Sequence, residues 1–198
     1  MVDIGVLALQ GAVREHVWTL EACGCSARPV KRAQELEGLH GLVIPGGEST
    51  TIGKLMIEGG FMEAIKARAA QGMGVFGTCA GMIMLATGIE GSSQPRLALM
   101  TMLVSRNAFG RQRESFETSL DVPCLGPEPY PAVFIRAPYV VKTEGTCRAL
   151  CEFDGKIVLA RDRLCLVSAF HPELTRDLRL HQYFIGMLEA GETGRVGS

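Results

Sequence analysis

Short apolar runs that end at a glycine-edged turn and pass straight into amphipathic sequence recur through the first half of the chain, and this rhythm limits the folds open to it. Ile4 to Leu9 is almost uninterrupted apolar sequence closed by Gln10-Gly11, the pattern of a parallel strand buried on both faces. Val13, Val17 and Leu20 then recur at helical spacing, Arg14, Glu15 and Glu21 supply a wet side, and Gly24 supplies a stop. Leu42-Val43-Ile44 is the next strand. It breaks at Pro45-Gly46-Gly47, where Ser49 or Thr50 is placed to cap a helix through Met56. A helix over about Phe61 to Ala70 leads to Val75-Phe76-Gly77 and a second sharp junction ahead of the apolar run Met82 to Ala86. Strands alternating with helices predict a parallel sheet with helices on both faces, whose ligands gather at the carboxyl ends of the strands.

From Met100 the rhythm changes. Leu99 to Val104, Ser115 to Val122, Val133 to Ile135, Ala149 to Phe153, Ile157 to Ala160 and Cys165 to Phe170 read as strands with few helices between, which predicts an antiparallel portion added to the sheet. Pro123 to Pro131, with four prolines, reads as a loop or edge connection. A closing helix spans roughly Asp177 to Leu188, and the tail from about 191 is expected to fray. At 198 residues the whole chain, 1–198, reads as one domain with a full core.

Composition narrows the partners. Hydrophobic residues make up 47% and 20 Lys+Arg balance 21 Asp+Glu, which argues against disorder and against nucleic acid as a partner. No apolar run reaches the length of about 20 residues that a membrane span needs. Asp3 stands where a secretory signal carries positive charge, so a cytoplasmic location is expected. The cysteines, Cys23, Cys25, Cys79, Cys124, Cys147, Cys151 and Cys165, are odd in number and form no C-x-x-C pair, and His16, His40, His171 and His181 are scattered. Neither a disulfide framework nor a zinc site follows, and no metal or cofactor is expected.

Gly77-Thr78-Cys79-Ala80-Gly81 has the form G-x-C-x-G between a strand and a helix, the thiol counterpart of the G-x-S-x-G nucleophile elbow. Flanking glycines let the chain turn tightly and present the side chain at the sheet edge, where the following helix N-terminus favours thiolate. A cysteine merely buried in a turn is the plainer alternative, and only a nearby base would separate the two. Phe170-His171-Pro172-Glu173 offers one: proline pushes His171 into extended backbone, where residues two apart face the same way. Glu173 would then fix the imidazole tautomer so that His171 takes the thiol proton and later returns it to a leaving amine. Pro45-Gly46-Gly47-Glu48-Ser49 brings backbone N–H groups to the same crevice, and a Gly N–H with that of Ala80 would make an oxyanion site. A phosphate loop is excluded because Gly53-Lys54 is followed by Leu55.

Together these blocks resemble the class I glutamine amidotransferases, the Cys-His-Glu glutaminases. The stretches Leu7 to His16, Pro45 to Thr51, Arg106 to Gln112, Phe134 to Pro138 and Phe170 to Thr175 are similar, more narrowly, to the family of glutaminase subunits of pyridoxal 5'-phosphate synthase. The resemblance implies a three-layer α/β/α, flavodoxin-like fold with a mixed, mainly parallel sheet. It implies hydrolysis of L-glutamine, with Cys79 as nucleophile, His171 as acid and base, and Glu173 as its orienting partner. Oxyanion contacts would come from Gly47 and Ala80, and substrate contacts from Gly47, Glu48, Ser49, Arg106, Ile135 and Arg136. The implied partner is a (β/α)8-barrel synthase subunit in a large hetero-oligomer, with the first helix and the Gln10-Gly11 turn as its contact. Docking is expected to reorganise the Gly46-Gly47 peptide, since glycine permits either orientation. Two departures stand out: Ala98 and Ala169 occupy places where the family commonly carries Gly and Ser. The competing readings are a cysteine hydrolase on a similar fold, a binding subunit whose Cys79 is inert, and an amidotransferase serving another pathway.

Overall fold

The computed structural model describes residues 1–106 and 115–193. The first half alternates strongly between β1 (Asp3–Leu7), α1 (Val13–Ala22), β2 (Ser26–Val30), β3 (Gly41–Ile44), α2 (Ser49–Glu58), α3 (Phe61–Ala70), β4 (Gly74–Thr78) and α4 (Ala80–Leu85). The second half is mostly strand: β5 (Ala86–Ile89), β6 (Met100–Ser105), β7 (Ser115–Leu120), β8 (Tyr130–Ile135), β9 (Tyr139–Thr143), β10 (Arg148–Phe153), β11 (Lys156–Asp162) and β12 (Cys165–Ser168), before α5 (Arg179–Thr193). Short 3-10 turns occupy Ala33–Leu36, Pro123–Leu125 and Pro172–Leu174.

One sheet runs in the order β2-β1-β3-β4-β12-β11-β9-β6-β5, with β10 paired to β11. Pairing is parallel from β2 through β1, β3 and β4 to β12, and again between β5 and β6. It is antiparallel around β11 and between β6 and β9. Every residue of β3 and β4 is buried, as continuous apolar central strands require. Alternation along β4 separates the layers: the Phe76 ring meets Phe184 of α5 at 5.5 Å, while Gly77 faces Gly81 of α4. Helices α1 and α5 therefore cover one face, and α4 with its neighbours α2 and α3 covers the other. The result is an α/β fold of three layers.

Several elements differ from the sequence reading. β7 and β8 form a separate two-stranded sheet instead of extending the main one. Their inward rings, Phe116 and Phe134, stack at 4.8 Å, and Phe134 also meets Phe170 at 5.6 Å. The hairpin thus covers the segment that leaves β12. Glu48, not Ser49 or Thr50, caps α2: its carboxylate accepts from the Thr50 and Thr51 N–H groups, which places Ser49 inside the helix. α5 continues past Leu188 to Thr193, and a side chain on its Gly191 would meet Leu164. Residues 194–198 and 107–114, including most of the Arg106 to Gln112 stretch, lie outside the described residues. β2 carries Pro29, which an edge strand tolerates and a sequence pattern reads as a break.

Candidate active site

Strand pairing brings the distant motifs together. β12 lies parallel to β4 with Ser168 opposite Thr78, and the Cys79 N–H donates to the Ser168 carbonyl at 2.8 Å. The residue after β4 and the segment after β12 therefore leave the sheet side by side, at the carboxyl ends of both strands. Cys79 sits at φ 51°, ψ −108°, a conformation that costs a non-glycine residue of order 1–3 kcal/mol and that the elbow imposes. The turn closes tightly because Gly81 approaches the β3 backbone: a Cβ there would lie 2.2 Å from the Ile44 carbonyl oxygen.

His171 and Cys79 both pack against the Gly46 backbone, close enough for the thiol to influence the imidazole. Its Nδ1 lies 2.8 Å from Glu173 Oε1. Burial alone would lower the His171 pKa, but its interactions with Cys79 and Glu173, the carboxylate accepting from the ring, outweigh it and raise it to about 10. Burial works against the Glu173 carboxylate, yet His16 and His171 hold it below its ordinary range. The pairing of His171 with Glu173 is the expected one, but the route differs. Pro172–Leu174 is a 3-10 turn, not extended chain, and the His171 N–H is anchored on the Val133 carbonyl of β8 at 2.8 Å.

A cleft of about 300 Å³ opens over Cys79 and is lined by Gly47, Glu48, Ser49, Ala80, Ile83, Arg106, Arg136 and Pro138. The candidate oxyanion pair and all the candidate substrate contacts except Ile135 thus share one opening. Ile135 still lies close, its carbonyl oxygen 3.8 Å from Cys79 Sγ. Arg136 is held at φ 45°, another strained backbone position at the rim. The Glu48 carboxylate is spent on its own helix. Hydrogen bonds led by the Thr50 hydroxyl, then the Thr51 and Thr50 N–H groups, overcome partial burial and lower its pKa to about 2. What Glu48 offers the cleft is therefore backbone.

Four residues around this site escaped the sequence reading. Gln10 accepts the Glu48 N–H at 2.6 Å and so pins the Gly46-Gly47-Glu48 loop from the turn after β1. Gln94 accepts from Ser49 Oγ at 3.4 Å and from Arg106 at 3.2 Å, tying two cleft residues together. His16 and Thr78 lie fully buried behind Glu173 and Cys79. None belongs to a local spacing pattern: Gln10 and His16 lay within the Leu7 to His16 stretch and Thr78 within the elbow, but no site role was assigned to them there, and Gln94 lay in no stretch singled out.

A cysteine on a strained elbow, with a His–Glu pair in the segment that leaves the next parallel strand of an α/β sheet, is the arrangement that the resemblance to the class I glutamine amidotransferases implies. The model of the SNO glutamine amidotransferase family matches residues 6–190, and the chain belongs to that family. It is 57% identical over 185 residues to "Pyridoxal 5'-phosphate synthase subunit PdxT" of Moorella thermoacetica, covering 93% of this chain and 98% of that one. The protein of the same name from Pelotomaculum thermopropionicum is 58% identical over 182 residues, covering 92% and 93%. A solved structure described as "Crystal structure of glutamine amidotransferase" superposes with a TM-score of 0.88 at 47% identity, covering 94% of this chain and 98% of that chain.

Proposed function

We propose that the chain hydrolyses L-glutamine to L-glutamate and ammonia as the glutaminase subunit of a pyridoxal 5'-phosphate synthase, handing the ammonia to a (β/α)8-barrel synthase subunit in a large hetero-oligomer. The observation that supports this reading is the β4–β12 pairing, from which the Cys79 elbow and the segment carrying the His171–Glu173 pair leave the sheet side by side. The PdxT relatives share that assignment by name over nearly the whole chain.

In the reaction, the Cys79 thiolate adds to the side-chain amide carbon of glutamine. The oxyanion rests on the Gly47 and Ala80 N–H groups. His171, as imidazolium, gives its proton to the amide nitrogen, and ammonia leaves as the γ-glutamyl thioester forms. Neutral His171 then takes a proton from water, hydroxide adds to the thioester, and collapse returns the thiolate and releases glutamate. Glu173 keeps the imidazole aimed and stabilises its charged form. Arg106 would hold the substrate α-carboxylate, with Glu48, Ser49, Ile135 and Arg136 shaping the amino-acid end.

Ammonia released into bulk water would gain a proton and lose its nucleophilicity, which is why a partner active site follows from the chemistry. The exposed side of α1, with Arg14 stacked on Trp18 at 4.8 Å, and the Gln10-Gly11 turn are the proposed contact. The test is labelling by a glutamine-mimicking diazoketone in the presence of the synthase subunit. One equivalent should attach to Cys79 and block glutamate release. Unlabelled Cys79 with intact glutamine hydrolysis would refute the assignment.

A further inference from the structure

Behind the catalytic pair lies a second, fully enclosed histidine system that the reaction above does not use. His16 of α1 and His181 of α5 are both without solvent exposure, and so is Thr78. His16 Nε2 lies 3.3 Å from Glu173 Oε2 and 3.3 Å from Thr78 Oγ1, while its Nδ1 lies 3.1 Å from His181 Nε2. At the far end, His181 Nδ1 has no hydrogen-bond partner among the described residues. Among the described residues Glu173 Oε2 likewise makes no aligned hydrogen bond, so its contact with His16 at 3.3 Å is electrostatic.

Burial, the first cause in each case, lowers the pKa of both imidazoles, that of His181 to about 3. The charged and titratable groups facing them do not reverse this: Glu173 and Glu15 raise His16, His171 lowers it, and His181 feels His16 and Glu173. Each ring is therefore neutral and carries one N–H.

The two ends of the chain select the same tautomer. With the His16 proton on Nε2, its N–H faces the Glu173 carboxylate and the Thr78 hydroxyl. Nδ1 is then an acceptor for His181 Nε2–H, and the unpartnered His181 Nδ1 is a bare lone pair. The opposite placement would turn a lone pair toward an anionic oxygen and bury an N–H at His181 with nothing to accept it, the costlier kind of unsatisfied group.

We infer that His16 is a positioning residue for glutamine hydrolysis: its Nε2–H, set by His181, holds the second oxygen of Glu173 so that the first stays on His171. The inference rests on the proposed roles of Cys79, His171 and Glu173. The same imidazole links Glu173 to Thr78, the residue before the nucleophile, so α1 joins the two halves of the site at their base.

The test uses the full chain in complex with the synthase subunit. His16→Leu removes the donor, whereas His16→Gln returns an N–H near the Nε2 position. His16→Leu should lower kcat about tenfold or more with KM for glutamine changed less than about twofold, because no substrate contact is touched. The acid limb of its kcat profile should move to higher pH, since Glu173 loses a group that favours its anion. His16→Gln should recover most of the loss. Independently, nitrogen-15 histidine spectra of the wild-type chain should show His16 and His181 as Nε2–H tautomers. A folded His16→Leu with wild-type kcat and pH profile overturns the inference, as does equal impairment in Leu and Gln variants. An Nδ1–H tautomer at His16 overturns it too, and that measurement decides alone if the Leu variant fails to fold. A wild-type complex that releases no glutamate would instead refute the proposed function, and the tautomers would still be readable.

Discussion

Gly46 and His171 are so close that a methyl group on the glycine would lie 2.6 Å from the imidazole Cε1, and 3.2 Å from the Cys79 Cβ on its other side. The loop after β3 is thus packed against both the nucleophile and its base, and only a residue without a side chain fits there.

Gly46→Ala should therefore disable the site while leaving the fold intact. Overpacking of this kind costs about 1–3 kcal/mol, and displacing a base by about 1 Å costs about a hundredfold in rate. Glutamate release and a urea melt on the same variant separate the two: activity should collapse while the cooperative transition survives.

Arg106→Leu should weaken glutamine binding with a smaller effect on turnover. A charge-assisted hydrogen bond to a carboxylate contributes about 1.5–3 kcal/mol, so KM should rise by about ten- to a hundredfold. Steady-state kinetics on the complex provide the check; unchanged KM would remove Arg106 from the substrate contacts.

The raised His171 pKa has a consequence for stability against pH. A group raised in the folded chain contributes fully below its ordinary value of 6.5 and loses that contribution as pH climbs through about 10. Glu173 is lowered, so its contribution holds above its ordinary 4.5 and is lost on acidification below that. Urea midpoints of wild type and His171→Gln should converge between pH 6.5 and 10, with wild type losing the more.

The sequence made the chemistry more legible than its support. Cys79 stood out because an elbow is local: two glycines at fixed offsets and one strand-to-helix switch. His171 and Glu173 were found through proline and spacing even though the backbone there turns as a 3-10 helix, because residues two apart can still meet when the turn is this short. The missed strands explain themselves physically. Pro29 hides an edge strand, and β9 is a half-exposed piece of five residues whose only argument is its neighbours. Glu48 was overlooked as a cap because capping rules favour short side chains, whereas here a longer carboxylate folds back over Thr50 and Thr51. Gln10, Gln94 and His16 act through tertiary pairing alone, which no periodicity records.

One of the two departures noted in the sequence has a structural cost. Ala98 adopts φ 56°, the left-handed region in which an L side chain costs roughly 1–2 kcal/mol. Ala98→Gly should stabilise the chain by about 1 kcal/mol, partly offset by the unfolded-state entropy of glycine, and raise Tm by about 2–4 °C. Calorimetry on the variant checks this; a lower Tm would mean the backbone there is not strained.

The central claim is that one sulfur and one imidazole, delivered by neighbouring parallel strands, carry out glutamine hydrolysis. Glutamate and ammonia released by wild type and by Cys79→Ala, each mixed with the barrel synthase subunit, measure it most directly. Wild type should release the two products in equal amounts and Cys79→Ala should fall by about a thousandfold or more. Comparable glutamate release from both proteins would contradict the account.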